Sequence, residues 1–494
     1  MAKYDLGSVR PQIAEIAPVG EVKTLIRVIP GLCHEAADAG PAAMHAAGVE
    51  FYQRAGSLVR CCVASARASN GKLLRVPGIM PVTPPALGRA LGQVASWEKL
   101  NHRGKPIAID PPNEVVQQIA AMVGEWPFPP LAGVIGTPTL RPDGTLLATQ
   151  GYDPTTGLAL LVPPPMPAIP PEPSKADALE ALRALGYLLA EFPFADCASR
   201  SVELSMLMTT VLRGLPPAVP LHVATSPTSG TGKSYLTDVS SAVATGERCP
   251  VVAVAPNPEE TEKRLIGAVL ADYPIIALDN CNGELASDFL CQASERPILQ
   301  VRPLGSSAIV RFSNTVTIFA NGNNLVVVAD LVRRTLVCQL DANMENPEKR
   351  IFRTDPVGIV LADRGRYIAA ILTIARAYIA AGKPDLLPPL PSYQGWSDLV
   401  RSPLVWLGCS DPAATISTAR AEDPQRLARA AVFGAWADEI DLAPQTFRTA
   451  ELIELAEETN SVDRRKRRVS TPRCSMSQKR DTTGASIRSG SGNG

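Results

Sequence analysis

The sequence lacks several features that mark specialised classes of protein. Its ten cysteines never show C-x-x-C spacing, and its four histidines do not pair with them. Neither a zinc site nor a disulfide framework is therefore indicated, and a reduced cytoplasmic protein is favoured. The formal net charge is zero and only 5% of residues are aromatic. A chain without net charge has no overall attraction for nucleic acid, so any basic surface must be local.

Long apolar runs are also missing. No run of eighteen apolar residues indicates a membrane span, and the first residues, "MAKYDLGSVRPQIAEIAP", contain no apolar segment of the kind found in signal peptides. We therefore expect a cytoplasmic protein that has no membrane partner. With 494 residues, 46% of them hydrophobic, the chain is long enough for several domains and a sizeable core.

Prolines divide the chain at residues 163–173, where they predict an extended linker. A proline-rich ligand for a partner domain is the alternative. Residues 1–162 before the linker are predicted to form an α+β module, with hairpin turns at Ala55-Gly56 and Asp143-Gly144. No D-x-D pair in this module suggests a two-metal polymerase site. After the linker we expect a helical lead-in at 174–215, an α/β core at 216–345, a helical carboxyl-terminal region at 346–460 and a disordered basic tail at 461–494.

The stretch "SPTSGTGKSYL" (226–236) carries most of the functional information. It lies between a predicted strand and a predicted helix, as the phosphate-binding motif G-x-x-x-x-G-K-[ST] requires, although Pro227 replaces the first glycine. The two glycines let backbone N–H groups converge on phosphates, and the helix N-terminus adds its positive dipole. Lys233 would contact the β- and γ-phosphates of ATP, and Ser234 would bind Mg²⁺. The predicted nucleotide-binding residues are Ser229, Gly230, Thr231, Gly232, Lys233, Ser234 and Tyr235.

A nucleotide site also needs an acidic residue at the end of a neighbouring buried strand. "YPIIALDN" (273–280) places Asp279 at such an end, where it would support Mg²⁺ together with Ser234. Many ATPases follow this aspartate with a glutamate that activates water. Asn280 stands here instead, so either hydrolysis is slow, or a carboxylate such as Glu284 reaches the site, or the site mainly binds nucleotide and switches.

Two later segments complete the series of catalytic candidates. "SNTVTIFANGNNL" (313–325) predicts a strand that ends in asparagines, and Asn323, with Asn321 as second choice, is the candidate sensor of the γ-phosphate. A turn that uses these residues for their left-handed backbone is the alternative. Arg333 and Arg334 follow, and either would suit an arginine finger that reaches the nucleotide of a neighbouring subunit. Surface salt bridges are the competing interpretation.

In this order, the motifs resemble those of AAA+-type ATPases, and more narrowly those of the superfamily 3-like ATPases in primase-helicase replication proteins of phages, plasmids and integrative elements. Stretches such as "GNNLVVVADLVRR" (322–334) and "WSDLVRSPLVWLGCSDP" (396–412) are also similar to that group, and the resemblance spans about residues 20–455. It implies a P-loop NTPase core between the α+β module and the helical region. It also implies a homo-oligomeric ring that couples ATP hydrolysis to movement on DNA, with single-stranded DNA the expected form.

The resemblance further implies a β-hairpin that points into the ring's pore. "PILQVRPLGSSAIVRFS" (297–313) has this pattern, with Arg302 and Arg311 as candidate DNA contacts in place of the usual tip lysine. A plain sheet hairpin is the alternative. Because fused members of the family carry a primase domain that is missing here, we expect a separate primase or polymerase partner. The basic tail suggests a truncated or frame-shifted end.

The sequence thus predicts an ATP- and Mg²⁺-dependent, helicase-type ATPase that serves the replication of a mobile element. Two alternatives remain open. One is a nucleotide-gated DNA-binding or loader protein with weak hydrolysis, and the other is an inactive relic.

Overall fold

The computed structural model describes residues 23–67, 73–255, 257–271, 273–305, 307 and 309–439. Two compact units divide this part of the chain: the described residues up to 62 and from 79 to 131 form one, and those between 63 and 78 and from 132 onwards form the other. The strands Ser57–Arg67 and Leu73–Pro81 belong partly to each unit. The predicted tail at 461–494 and the helical run expected near 450–459 lie outside the described residues.

The first unit packs three helices against a small mixed sheet. Thr24–Val28 pairs in parallel with Ala95–Leu100, which pairs antiparallel with Pro106–Ile109. The helices are Cys33–Ala46, Pro84–Val94 and Asn113–Ala121, and a tight turn joins Tyr52–Arg54 to the start of Ser57–Arg67. Their apolar faces enclose a core that contains Met44, Leu91, Trp97 and Ile119. This unit is therefore α+β, whereas residues 132–162 of the predicted module belong to the second unit.

The second unit is built on a five-stranded parallel sheet, here called the core sheet. Its strands lie side by side in the order Val251–Ala253, Ile275–Asp279, Thr317–Asn323, Leu221–Ser226 and Thr335–Gln339. We call Leu221–Ser226 the loop strand, Ile275–Asp279 the acidic strand and Thr317–Asn323 the asparagine strand. After the loop strand, the chain forms the three strands on one side of it, and it then forms Thr335–Gln339 on the other side. Such a reversal leaves a crevice at the carboxyl ends of parallel strands.

Helices cover both faces of the core sheet. On one face a large apolar core joins Lys175–Leu188, Cys197–Leu212, Lys233–Thr245 and Arg364–Ala380 to strand residues such as Leu336. On the other face a second core joins Pro258–Leu270 and Asp288–Glu295 to Leu221, Leu278 and Val337. Four of the strands are buried on both sides, which explains why they read as apolar runs in the sequence, whereas the edge strand Val251–Ala253 is largely exposed.

Smaller elements complete the second unit. A three-stranded sheet orders Gly151–Asp153, Leu158–Leu160 and Gly133–Ile135, and short ladders pair Thr139–Leu140 with Leu146–Leu147, Glu284–Leu285 with Val326–Val327, and Ile298–Val301 with Val310–Ser313. Short 3₁₀ segments occupy Ala329–Arg334 and Pro347–Lys349. The remaining helices are Pro356–Ala362, Gln394–Trp396, the π-helical Ser397–Arg401, Ser402–Trp406, Ala414–Glu422 and Pro424–Glu439. Across the described ranges, no helix combines the length and apolar character needed to cross a membrane.

Candidate nucleotide site

The phosphate loop, residues 227–232, connects the loop strand to the helix Lys233–Thr245 at the carboxyl edge of the core sheet. Gly230 and Gly232 have φ angles of +76° and +99°, in the left-handed region that favours glycine. A Cβ atom at Gly230 would lie 3.0 Å from the backbone nitrogen of Glu348, and one at Gly232 would lie 3.2 Å from the ring of Phe192. Both glycines are thus required by conformation and by close packing.

Lys233 is buried at the first position of this helix, with 8% of its surface exposed. Its Nζ donates to Asn323 Oδ1 at 2.7 Å and also to three acceptors of the loop region, Ser226 Oγ at 2.6 Å, Thr228 O at 3.2 Å and Thr231 Oγ1 at 3.3 Å. Burial lowers the pKa of Lys233, and the nearby negative charge of Asp279 opposes that shift. The lysine is therefore held where a phosphate chain above the loop would meet it.

Ser234 lies beside the ends of two other strands. Its hydroxyl donates to Asp279 Oδ1 at 3.2 Å and approaches Asn321 Oδ1 at 3.5 Å. Hydroxyl and carboxylate oxygens are ligands that Mg²⁺ accepts, usually in combination with substrate phosphates. The described residues contain no group of three or more His, Cys, Asp or Glu side chains that could hold a metal ion. Phosphate oxygens would thus have to supply the remaining ligands.

The two asparagines of the asparagine strand occupy different positions. Asn323 lies at the strand end and contacts Lys233, whereas Asn321 is buried, and its Nδ2 has no hydrogen-bond partner. Asn280, after the acidic strand, has a left-handed backbone with φ of +58°, and its N–H donates to Asp279 Oδ1 at 3.0 Å. Glu284 is exposed in a short strand that pairs with Val326–Val327. The structure therefore brings Lys233, Ser234, Asp279, Asn321 and Asn323 together at one sheet edge.

Arg333 and Arg334 lie away from this group, in the 3₁₀ segment Ala329–Arg334. Arg334 is buried and donates to Glu295 Oε2 at 2.7 Å, and its guanidinium also pairs with Asp330. Arg333 is more exposed and contacts Glu295 at 3.1 Å and Asp330 at 2.7 Å. Both arginines are thus engaged within their own chain, and Arg333 has the more accessible side chain.

The hairpin predicted around residues 297–313 is confirmed, because Ile298–Val301 pairs antiparallel with Val310–Ser313. Asn314 fixes its base by donating from Nδ2 to the carbonyls of Ala293 and Arg296, both at 2.7 Å. Arg302 and Arg311 are exposed, and Arg311 Nη2 donates to Gln300 Oε1 at 3.3 Å. The hairpin therefore presents two arginines to solvent.

Beside the phosphate loop lies a cavity of about 280 Å³ that sequence reasoning did not foresee. The rings of Phe192, Tyr235 and Phe352 line it together with Glu191, Thr354 and Asp355. Glu191 accepts from the backbone N–H of Arg353 at 2.8 Å and from Thr354 Oγ1 at 2.7 Å, and Tyr235 Oη donates to Asp355. Burial raises the pKa of Tyr235 to about 12, and its hydrogen bond to Asp355 adds to the shift. Tyr235 and the lining residues Gly230, Thr231 and Gly232 carried a sequence signal as parts of the loop motif, whereas Phe192 carried none.

Two observations fit a nucleoside triphosphate with Mg²⁺ at this edge. Gly230 and Gly232 both have left-handed backbones, and turns with such residues are known to direct backbone N–H groups at anions. The buried Nδ2 of Asn321 has a hydrogen to donate and no partner. Residues 229–235 would hold the phosphates, Ser234 and Asp279 the metal ion, and the aromatic cavity the base.

Comparisons with known proteins give only distant structural matches. No protein-family model matches the chain, and no curated protein matches it. The apo A form of the NrS-1 C-terminal region is 13% identical with a TM-score of 0.34, over 73% of this chain and 72% of that one. A second structure of that region, residues 305–718, is 14% identical with a TM-score of 0.28, over 63% and 65%.

The helicase of JCV, bound to a thiazolopyridine compound, is 10% identical with a TM-score of 0.21, over 50% of this chain and 73% of that one. At such scores these matches carry no argument about function. The chain is a mixed α/β protein whose parallel core sheet gathers polar side chains at its carboxyl edge.

Proposed function

We propose that this chain is a P-loop ATPase of AAA+ type that binds ATP with Mg²⁺ at the carboxyl edge of the core sheet. One observation carries the proposal: side chains from three separate strand ends meet at the start of one helix. Lys233 contacts Asn323 at 2.7 Å, and Ser234 contacts Asp279 at 3.2 Å, although these partners are 90 and 45 residues apart in the chain. Chance similarity of a glycine-rich turn does not account for that convergence.

Each group would contribute to ATP binding in a way that follows from its chemistry. Backbone N–H groups of the phosphate loop and the dipole of the helix Lys233–Thr245 stabilise negative charge. Lys233 adds a full positive charge, and Asn323 can hydrogen-bond the terminal phosphate or an attacking water. Bound Mg²⁺ would neutralise charge on the β- and γ-phosphates. Phe192, Tyr235 and Phe352 offer the apolar walls that suit a purine base.

The proposed coupling partner is single-stranded DNA, and the proposed role is helicase-type remodelling during replication of a mobile element. The sequence resemblance suggests this role, and the exposed hairpin with Arg302 and Arg311 supports it because cationic side chains bind phosphates. A homo-oligomeric ring would place Arg333 or Arg334 near a neighbour's nucleotide. A separate primase or polymerase would then supply primers.

A second candidate function is a nucleotide-gated DNA loader with slow hydrolysis. The observation in its favour is Asn280, since a carboxamide next to Asp279 can orient a water molecule but cannot remove its proton. In the part of the chain that the structure describes, no hydrogen bond joins a further carboxylate to Asp279, Ser234 or Lys233.

One experiment separates these functions. ATP binding, phosphate release with and without single-stranded DNA, and strand displacement are measured for the wild type and Lys233→Ala. Because Lys233 supplies the charge at the loop, we expect the substitution to remove DNA-stimulated turnover and weaken ATP binding by more than about tenfold, or 1.4 kcal/mol. Lys263→Ala, at an exposed position of the helix Pro258–Leu270, is the matched control and should behave as wild type.

The other outcomes are equally informative. Tight ATP binding with negligible turnover would favour the loader. Absence of nucleotide binding in the folded wild-type protein would contradict both functions and leave an inactive relic.

A further inference from the structure

A second cavity lies at the opposite edge of the core sheet from the phosphate loop. We call it the amino-edge cavity because Pro250, Ile275 and Thr315, which lie at or just before strand starts, contribute to its lining. Its volume is about 110 Å³, enough for a small organic molecule of a few heavy atoms. Since the strands are parallel and end at the nucleotide site, this cavity is separated from that site by the length of the sheet.

Arg213 is a buried cationic residue in the lining of this cavity. It follows the helix Cys197–Leu212, lines the cavity and has only 5% of its surface exposed. Its Nε donates to the carbonyl of Val316 at 2.8 Å and its Nη1 to that of Pro216 at 3.0 Å, but its buried Nη2 has no hydrogen-bond partner. Among the described residues, no carboxylate lies within ion-pair distance of Arg213.

A buried guanidinium without a counter-charge is unfavourable, because it has lost its hydration and gained only neutral carbonyl partners. Burial accordingly lowers the pKa of Arg213 to about 10. The neighbouring cation of the lining, Arg248, is already paired with Asp238 at 2.8 Å. Arg213 thus remains the cationic side chain of the lining that has no counter-charge within the described residues.

We propose that the amino-edge cavity binds a small monocarboxylate with a short apolar body. The planar guanidinium suits a carboxylate, which would supply the missing negative charge beside Arg213. Val134, Ile135, Leu158 and Val211 form apolar walls for the rest of the molecule. Glu247 also lines the cavity, so a singly charged ligand fits better than a doubly charged phosphate.

Thermal unfolding in the presence of butyrate tests this proposal, with butyramide as the neutral analogue of the same shape and inorganic phosphate as the alternative anion. Ionic strength is held constant with chloride. At a butyrate concentration tenfold above its Kd, we expect the midpoint of wild-type unfolding to rise by roughly 1–2 °C. Butyramide should leave it unchanged, and phosphate should act less than butyrate. Calorimetric titration of the full chain gives the Kd independently.

Variants identify the site. Arg213→Gln should abolish the butyrate shift, whereas Arg376→Gln should keep it, because Arg376 donates to the carbonyls of Pro170 and Pro171 and does not line the cavity. If Arg213→Gln does not fold, Thr210→Phe serves as a second variant. It retains Arg213 and fills the cavity with a larger side chain from the helix Cys197–Leu212, so it should also abolish the butyrate-dependent rise of the midpoint. An equal butyrate shift in all variants, an equal shift with butyramide, or no shift in the wild type would overturn the proposal.

Discussion

Glu203 illustrates how one buried residue sets a pH dependence for the whole protein. Its carboxyl group is inaccessible to solvent, with Oε1 accepting from Ser240 Oγ at 3.2 Å and Oε2 without a partner. Burial raises the pKa of Glu203 from 4.5 to about 8. The folded protein thus keeps this proton at pH values where the unfolded chain has released it. Stability from this group is complete below pH 4.5 and is lost as the pH rises towards 8.

We expect the wild type to lose roughly 1–2 kcal/mol of unfolding free energy between pH 6.5 and 8 from this group, and Glu203→Gln to lose none of it. Urea unfolding at several pH values in this range measures the difference. Burial lowers the pKa of His222 to about 3, so His222 is neutral in the folded protein but still partly protonated in the unfolded chain at pH 6.5. It therefore adds about 0.4 kcal/mol of stability over this pH range in the wild type and in Glu203→Gln alike, and the comparison between them cancels it. Glu180→Gln, at an exposed helical position, should retain the wild-type slope. The same slope in Glu203→Gln would show that Glu203 is ionised in the folded protein.

At the scale of the element, a left-handed glycine in the phosphate loop can be compared with a left-handed glycine that only ends a helix. Gly232 begins the helix Lys233–Thr245 with φ of +99°, and Gly246 ends the same helix with φ of +83°. Alanine at either position should cost about 1–2 kcal/mol of stability through backbone strain. Only Gly232→Ala should also weaken ATP binding, since its methyl group would press on Phe192 beside the loop. Urea unfolding and nucleotide titration of both variants measure the two effects, and equal ATP affinities would contradict this role of the loop.

The hairpin is the element through which we expect DNA to bind. If Arg302 and Arg311 neutralise phosphates, the double substitution to alanine should weaken single-stranded DNA binding and reduce the slope of log K against log salt by roughly 0.7 for each phosphate that is no longer neutralised. Fluorescence anisotropy at several salt concentrations measures this slope. Arg264→Ala removes an exposed arginine from the helix Pro258–Leu270 and should leave it unchanged. An unaltered slope in the double variant would place the DNA elsewhere.

At the scale of the whole molecule, substitution of Arg333 tests whether residues of two neighbouring chains form one nucleotide site. A finger that acts between subunits places Arg333 and Lys233 of one functional site on different chains. Mixing inactive Lys233→Ala and Arg333→Ala chains should then restore activity at about a quarter of the interfaces, as expected for a head-to-tail ring. Phosphate release by the mixture, compared with each variant alone, measures this. No recovery in assemblies that contain both variants would assign Arg333 to its own chain's structure, with Glu295 and Asp330.

How well the sequence predicts a feature of this molecule depends on how far apart in the chain the residues that form it lie. Local signals succeeded: the turns predicted at Ala55-Gly56 and Asp143-Gly144 each join two antiparallel strands. The glycine turn and the hairpin were likewise predictable, since periodicity and turn chemistry are properties of neighbouring residues.

The aromatic cavity was not predictable, because Phe192 and Phe352 are distant in the chain and Phe192 belongs to no motif. The burial of Arg334 against Glu295, 39 residues upstream, depends in the same way on tertiary packing. Such contacts become visible only once the core sheet has brought the segments together.

The hydrogen bonds of Lys233 affect how tightly any phosphate can bind. Its ammonium group is already satisfied by oxygen atoms of the protein, including Asn323 Oδ1. An incoming phosphate must replace some of these partners, so the affinity reflects a difference between two sets of bonds and not the full strength of one. Each exchange also releases a protein oxygen, and loss of the phosphate lets the original bond form again. In the proposed ATPase, the lysine would therefore favour reversible binding, because the groups displaced by the substrate would assist departure of the product.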